Sequence, residues 1–172
     1  MRTRFIFITG GVISTLGKGV TSAAVGALLQ AKGYKATPVK CDAYVNIDAG
    51  TMNPTEHGEV FVTSDGVETD QDVGTYERFL NRRLTSVNYL TTGQIYQKVI
   101  DRERNLEYDG KCVEVALHVP QELIRRLKQA AKVDDADIVL AEIGGTVGEY
   151  QNILFLEAAR MLKLEHPTHV IH

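Results

Sequence analysis

RFIFIT (Arg4–Thr9) followed by GGVISTLGKGVTS (Gly10–Ser22) is the stretch on which the fold turns. The first six residues form an apolar run without alternation, the pattern of a strand buried on both faces of a parallel sheet. The run stops at a glycine pair. Glycines there let the backbone fold tightly around an anion, so that its N–H groups and the start of the next helix face the negative charge. Lys18 adds a point charge. The spacing approaches G-x-x-x-x-G-K-[ST] without meeting it: Val12 stands where the first glycine belongs, and Gly19 follows Lys18. A strand, a glycine loop bearing one lysine, and a helix of small residues, in that order, point to phosphate binding. A plain glycine turn with an exposed lysine is the competing reading.

Working outward, Val20–Ala31 reads as that helix, stopped by Gly33. Lys35–Lys40 reads as a second strand, and Pro38 makes it an edge candidate or shortens it. Cys41–Gly74 is dense in Asp, Gly, Thr and Asn, shows no helical period, and holds one short strand at Glu59–Thr63. So long a loop-like stretch in a compact domain is functional or disordered, and the β-branched residues spaced through it argue against simple disorder. Gly93–Asn105 carries Ile95, Tyr96, Val99 and Ile100 at helical spacing. Lys111–His118 reads as a strand, Pro120–Lys132 as a helix beginning at its proline, and Ala136–Ile143 as a buried strand. Ile153–Leu164 is an amphipathic helix, and Thr168–Ile171 starts another strand. Strands alternating with helices predict one α/β domain over 1–172, a phosphate-loop NTPase-like parallel sheet flanked by helices.

Composition narrows the function classes. Among 172 residues, 22 are acidic and 19 basic, a formal net charge of −3, so whole-chain attraction to nucleic acid is not expected. No apolar stretch approaches the ~20 residues that a membrane-spanning helix needs, and Phe5–Thr9 is too short for the apolar region of a secretory signal. Cys41 and Cys112 make no disulfide framework and no metal cluster. The expectation is a soluble cytoplasmic domain with no membrane partner.

Two further groups of residues carry chemistry. Asp42, Asp48, Asp65, Glu68, Asp70 and Asp72 crowd one segment. Magnesium takes hard oxygen ligands, usually one or two carboxylates with phosphates and water, and an acidic loop beside a phosphate loop can supply them. For any single one of these residues, a solvated carboxylate is the simpler reading. Glu142, near the end of a buried strand and followed by Gly144-Gly145-Thr146-Val147-Gly148, sits at the ligand edge of an α/β sheet. It is placed like the acidic metal residue of phosphate-loop enzymes. The histidines at 57, 118, 166, 169 and 172 show no metal spacing, though His57 and His118 lie near the proposed site. Cys41 has no activating partner in the sequence.

Five segments together resemble the N-terminal amidoligase part of the CTP synthase family, almost from end to end: GGVISTLGKG (10–19), DAYVNIDAGTMNP (42–54), HGEVFVTSDGVETDQDVGTYERF (57–79), TTGQIY (91–96) and EIGGTVG (142–148). The resemblance implies conversion of UTP to CTP: ATP phosphorylates the uracil 4-oxygen, and ammonia from a separate glutaminase domain displaces the phosphate. By the same resemblance Thr15, Leu16, Gly17, Lys18, Gly19 and Val20 bind ATP phosphates, Ser14 touches the UTP or CTP side, and Lys40 lies close to the phosphates. Asp72 and Glu142 hold Mg2+, and Glu149, Tyr150 and Gln151 line the pyrimidine nucleotide site. Tetramers are implied as well.

The sequence departs from the family pattern in three ways. It ends before the later loop that grips UTP and before the glutaminase domain, so the resemblance implies an incomplete amidoligase domain. The usual D-P-Y reads Asp42-Ala43-Tyr44, and Ala49 replaces a second proline. The usual G-D-I-E reads Gly148-Glu149-Tyr150-Gln151, and P-H-I-T reads Leu117-His118-Val119-Pro120. These changes fall on the pyrimidine side, while the ATP side is intact. Two alternatives therefore stand beside CTP synthesis: an ATP-dependent ligase of the same fold with another acceptor, and a non-catalytic nucleotide-binding or assembly module.

Overall fold

The computed structural model describes residues 3–11, 17–167 and 170–171. Its elements in chain order are β1 (Arg4–Gly10), α1 (Lys18–Ala31), β2 (Ala36–Asp42), α2 (Pro54–His57), β3 (Val60–Val62), β4 (Glu68–Asp70), α3 (Gln71–Leu80), β5 (Tyr89–Thr91), α4 (Thr92–Arg104), α5 (Val115–Val133), β6 (Ile138–Thr146), α6 (Ile153–Glu165) and β7 (Val170–Ile171). Among the described residues β5, β2, β6, β1 and β7 form, in that order, one parallel sheet. Thr168, expected to begin the last strand, lies outside the described residues.

The period of two along each strand sorts side chains onto two faces. Phe5, Phe7, Val39, Cys41, Val139, Ala141 and Ile143 pack under α4, α5 and α6. Ile138 and Leu140 face the other way, toward Val25 and Leu29 of α1. On that second face α3 adds Val73, Tyr76 and Leu80 against Ala23 of α1. Small residues on α1 permit this approach: a Cβ at Gly26 would lie 2.9 Å from Leu80 Cδ2.

Three readings of the sequence are corrected. Lys35–Lys40 is not at the edge, because β2 has strands on both sides. Pro38 is tolerated because β5 pairs only with Lys40–Asp42, and beside Pro38 the Asn88 Nδ2 donates instead to the Pro38 carbonyl at 3.0 Å. The loop-like stretch 41–74 contains α2, the β3–β4 antiparallel hairpin and the start of α3. Asp70 begins that helix by accepting the Asp72 N–H at 2.7 Å. Lys111–His118 is not a strand: α5 starts at Val115, five residues before Pro120, which lies inside the helix. Its β-branched run suggested a strand, but burial of Val119, Leu123, Ile124 and Leu127 on the sheet outweighs so weak a local preference.

Among the described residues no helix is long and apolar enough to cross a membrane.

Candidate functional site

The strand ends that carry the site are fixed by register. Lys40 of β2 stands opposite Glu142 of β6, and Ile8 of β1 stands opposite Glu142 on its other side. Glu142 follows Leu140 by two residues, so it points to the α1–α3 face. The N-terminus of α3 arrives over the same edge and brings Asp70 and Asp72. Four carboxylates thereby surround one ammonium. Lys40 Nζ lies 2.5 Å from Asp72 Oδ2, 3.2 Å from Glu142 Oε1, and 3.9 Å from both Asp42 Oδ1 and Asp70 Oδ1. Lys40 is 5% exposed and Glu142 1%.

Hydroxyls complete this cluster. The buried Tyr76 of α3 donates to Glu142 Oε2. Tyr44 donates to Asp42 Oδ2 at 3.0 Å and also pairs with the Tyr89 hydroxyl. Burial by itself would lower the Lys40 ammonium, but Asp42, Glu142, Asp70 and Asp72 together hold it well above its ordinary value. Burial pushes the Asp42 carboxyl up to about 7, against the opposing pull of Lys40. Burial also raises Glu142, with Lys40 and the Tyr76 hydrogen bond working the other way. Both carboxyls therefore sit in the conflict between desolvation and ion pairing that buried charges create.

The helix start lies across the pocket. Gly17 precedes α1 with φ 77°, a left-handed conformation that glycine adopts without strain. Among the described residues no side chain caps the helix and no acidic residue occupies its first turn, an arrangement compatible with an anion at the positive end of the helix dipole. Lys18 Nζ donates to Gly145 O at 2.7 Å. Asn152 Nδ2 ties down the same glycine rim, donating to Gly144 O at 2.9 Å and Thr146 O at 2.7 Å. Gly19 leaves the space that Asp72 fills: a Cβ there would meet Asp72 Oδ1 at 2.0 Å. Gly17, Lys18, Gly19, Lys40, Asp42, Asp70, Asp72, Glu142 and Gln151 line one open pocket of about 670 Å³.

Of the residues singled out in the sequence, Lys18, Lys40, Asp72, Glu142 and Gln151 thus meet in one place. Val20 lies in the first turn of the same helix and is exposed. Ser14, Thr15 and Leu16 lie outside the described residues, as does the side chain of His57. The Glu149 carboxylate turns back on its own loop, accepting from the Thr146 N–H at 2.7 Å and Gln151 Nε2 at 3.0 Å. Tyr150 is 87% exposed and lines a neighbouring hollow rather than the main pocket, while Gln151 lines both. His118 stays at the start of α5, stacked edge-on against Tyr108. Asp65 secures the hairpin to the Ser86 N–H, and Asp48 accepts the Gly50 N–H, so neither joins the cluster. Cys41 is buried and its thiol is pushed up by burial, which makes it a poor nucleophile.

Sequence reasoning missed Tyr76, Tyr44, Asn152 and the pocket-lining Glu56. The spacing of Val73, Tyr76 and Leu80 was the available signal for Tyr76. Nothing local marks Asn152. Among the described residues no three His, Cys, Asp or Glu side chains are arranged as a ready-made metal site; the carboxylates converge on an ammonium instead.

The family model described as "CTP synthase N-terminus" matches residues 4–172. The CTP synthase of Helicobacter pylori strain ATCC 700392 / 26695 is 56% identical over 164 residues, covering 95% of this chain and 30% of that protein. The CTP synthase of Pyrococcus horikoshii is 56% identical over 163 residues, again 95% of this chain and 30% of the relative. That of Thermus thermophilus is 52% identical over 162 residues, 94% of this chain and 30% of the relative. The chain thus spans about 30% of the length of the curated relatives it matches.

Proposed function

This chain belongs to the CTP synthase N-terminal family, and from that premise we propose that its pocket binds ATP and transfers the terminal phosphoryl group to the 4-oxygen of UTP, ahead of attack by ammonia. The observation that carries the reading is the meeting of an uncapped helix start and Lys18 with the Lys40–Asp72–Glu142 cluster in one pocket.

Phosphoryl transfer asks the protein mainly for positioning and charge neutralisation. In this reading the N–H groups at the start of α1 and the Lys18 ammonium receive the outer phosphates. Lys40 faces them from the sheet. Asp72 and Glu142 fit Mg2+, because both offer hard carboxylate oxygens and both already converge on one cationic group. Bound there, the ion would neutralise phosphate charge. Tyr76 holds Glu142 in place through its hydroxyl, and Asn152 keeps the Gly144–Thr146 rim from which Gly145 meets Lys18. Gln151, at the pocket edge, and Tyr150 face the side proposed for the pyrimidine nucleotide. A separate glutaminase domain would supply ammonia, and the assembly proposed is a cytoplasmic tetramer.

One observation favours the second reading, a ligase of this fold with a different acceptor. Glu149, in the segment assigned to pyrimidine recognition, spends its carboxylate on Thr146 and Gln151.

Calorimetry on Lys18→Ala tests the phosphate assignment. ATP binding in the presence of magnesium should be lost while the far-ultraviolet dichroism and melting temperature are kept. A folded variant that binds ATP as the parent does refutes the reading.

A further inference from the structure

Lys40 sits where a cation is called for. Its ammonium takes Asp72 Oδ2 at 2.5 Å and both oxygens of Glu142 at 3.2 and 3.3 Å, with Asp42 and Asp70 each at 3.9 Å. The two principal partners differ. The Glu142 side chain is 1% exposed and further tied by Tyr76, whereas the Asp72 side chain is 33% exposed and faces the pocket from the rim. The Asp72 end of the ion pair is therefore the end that a ligand reaches first.

Charge makes the two components of a metal–nucleotide complex depend on each other. Asp70, Asp72 and Glu142 stand against the two ammonium groups of Lys18 and Lys40, and Asp42 adds a further charge once it ionises, so this wall repels a polyphosphate arriving alone. A divalent cation arriving alone finds Asp72 and Glu142 already paired with the Lys40 ammonium, which on giving them up would keep only the more distant Asp42 and Asp70, each at 3.9 Å. When both arrive, the exchange balances: the carboxylates pass to the cation, and the Lys40 ammonium passes to a phosphate oxygen.

We propose that Lys40 is an internal counter-ion, displaced from Asp72 on binding, so that this pocket takes a divalent cation only together with a nucleoside polyphosphate. The inference rests on the nucleotide-binding reading above and deepens it by naming the ligand form. Coupling of this kind is reciprocal: the nucleotide raises metal affinity by the factor by which the metal raises nucleotide affinity.

The test is Mn2+ binding followed by electron paramagnetic resonance, with and without a non-hydrolysable ATP analogue. In the parent protein Mn2+ should bind at least ~tenfold more tightly with the analogue than without it. Lys40→Gln should gain Mn2+ binding in the absence of nucleotide, by a similar factor over the parent, and the coupling should shrink. Lys40→Arg keeps a cation among the carboxylates and should still refuse Mn2+ alone. Dichroism checks the fold of each variant. If Lys40→Gln does not fold, the parent's coupling and the Lys40→Arg result decide. The inference is overturned if the parent binds Mn2+ equally well with and without the analogue, or if folded Lys40→Gln gains no nucleotide-free site. If the parent fails to bind the analogue even with Mn2+, the function proposed above falls and this inference with it.

Discussion

Asp42→Asn should remove the pH dependence that one buried carboxyl imposes on stability. Asp42 is 6% exposed, accepts the Tyr44 hydroxyl at 3.0 Å, and lies among Lys40, Asp70 and Glu142. Burial lifts its carboxyl from 3.8 to about 7 in the folded chain. A carboxyl whose folded value is raised favours the fold while it is protonated. That contribution is complete below about pH 4 and is lost as pH rises through about 7. Between pH 5 and pH 8 the wild-type chain should therefore lose roughly 2–3 kcal/mol through Asp42 alone, from linkage at ~1.4 kcal/mol per pH unit. Asn preserves the shape and the acceptor for Tyr44 but cannot ionise. The difference in melting temperature, variant minus wild type, should then grow by roughly 5–10 °C between pH 5 and pH 8, taking ~2–4 °C per kcal/mol for a chain of this size. Differential scanning fluorimetry of both proteins across that range gives the answer, since other titrating groups largely cancel in the difference. A difference that stays flat with pH, or a variant that loses ground at pH 8, would refute the argument that Asp42 is neutral through desolvation.

Three further outcomes follow from the geometry. Gly19→Ala places a methyl group against the Asp72 carboxylate, 2.0 Å from Oδ1, so ATP affinity by calorimetry should fall at least ~tenfold (about 1.4 kcal/mol) while the melting temperature changes little, alanine being the better helix former. Tyr76→Phe removes a hydrogen bond to a buried carboxylate and should lower stability in urea by about 1.5–3 kcal/mol; an unchanged midpoint would mean that Tyr76 does not support Glu142. Glu122, fully buried between Arg102 and Arg125 on the far side of the sheet, serves as the control: Glu122→Gln should cost about 1–3 kcal/mol in the same assay and leave ATP affinity as it was.

Much of this molecule is legible from local pattern. The apolar run at Arg4–Thr9, the glycine loop and the small-residue helix follow one another within a few residues, so spacing alone points to a strand leading through a glycine loop into a helix, and the strand and helix are β1 and α1. Lys18 and Glu142 stand out in the same way, since each lies at a fixed offset from a glycine cluster beside a buried strand. What spacing could not determine is which distant residues meet. Lys40 and Glu142 are 102 positions apart, and only the parallel register of β2 on β6 sets them side by side. Tyr76 reaches Glu142 because α3 packs over α1, and α3 itself hides in sequence because Gly74 and its charges dilute a short apolar period. Pro38 marked an edge strand by its missing donor, yet the sheet places β2 inside and lets Asn88 bond the carbonyl beside it. The run Lys111–His118 carried strand-like residues, and long-range burial of α5 made its second half a helix. Local rules read hydrogen bonding and periodicity within a few residues. Register, layer packing and the desolvation of Lys40, Asp42 and Glu142 arise only when the sheet closes, which is why the chemistry of the pocket was decided there.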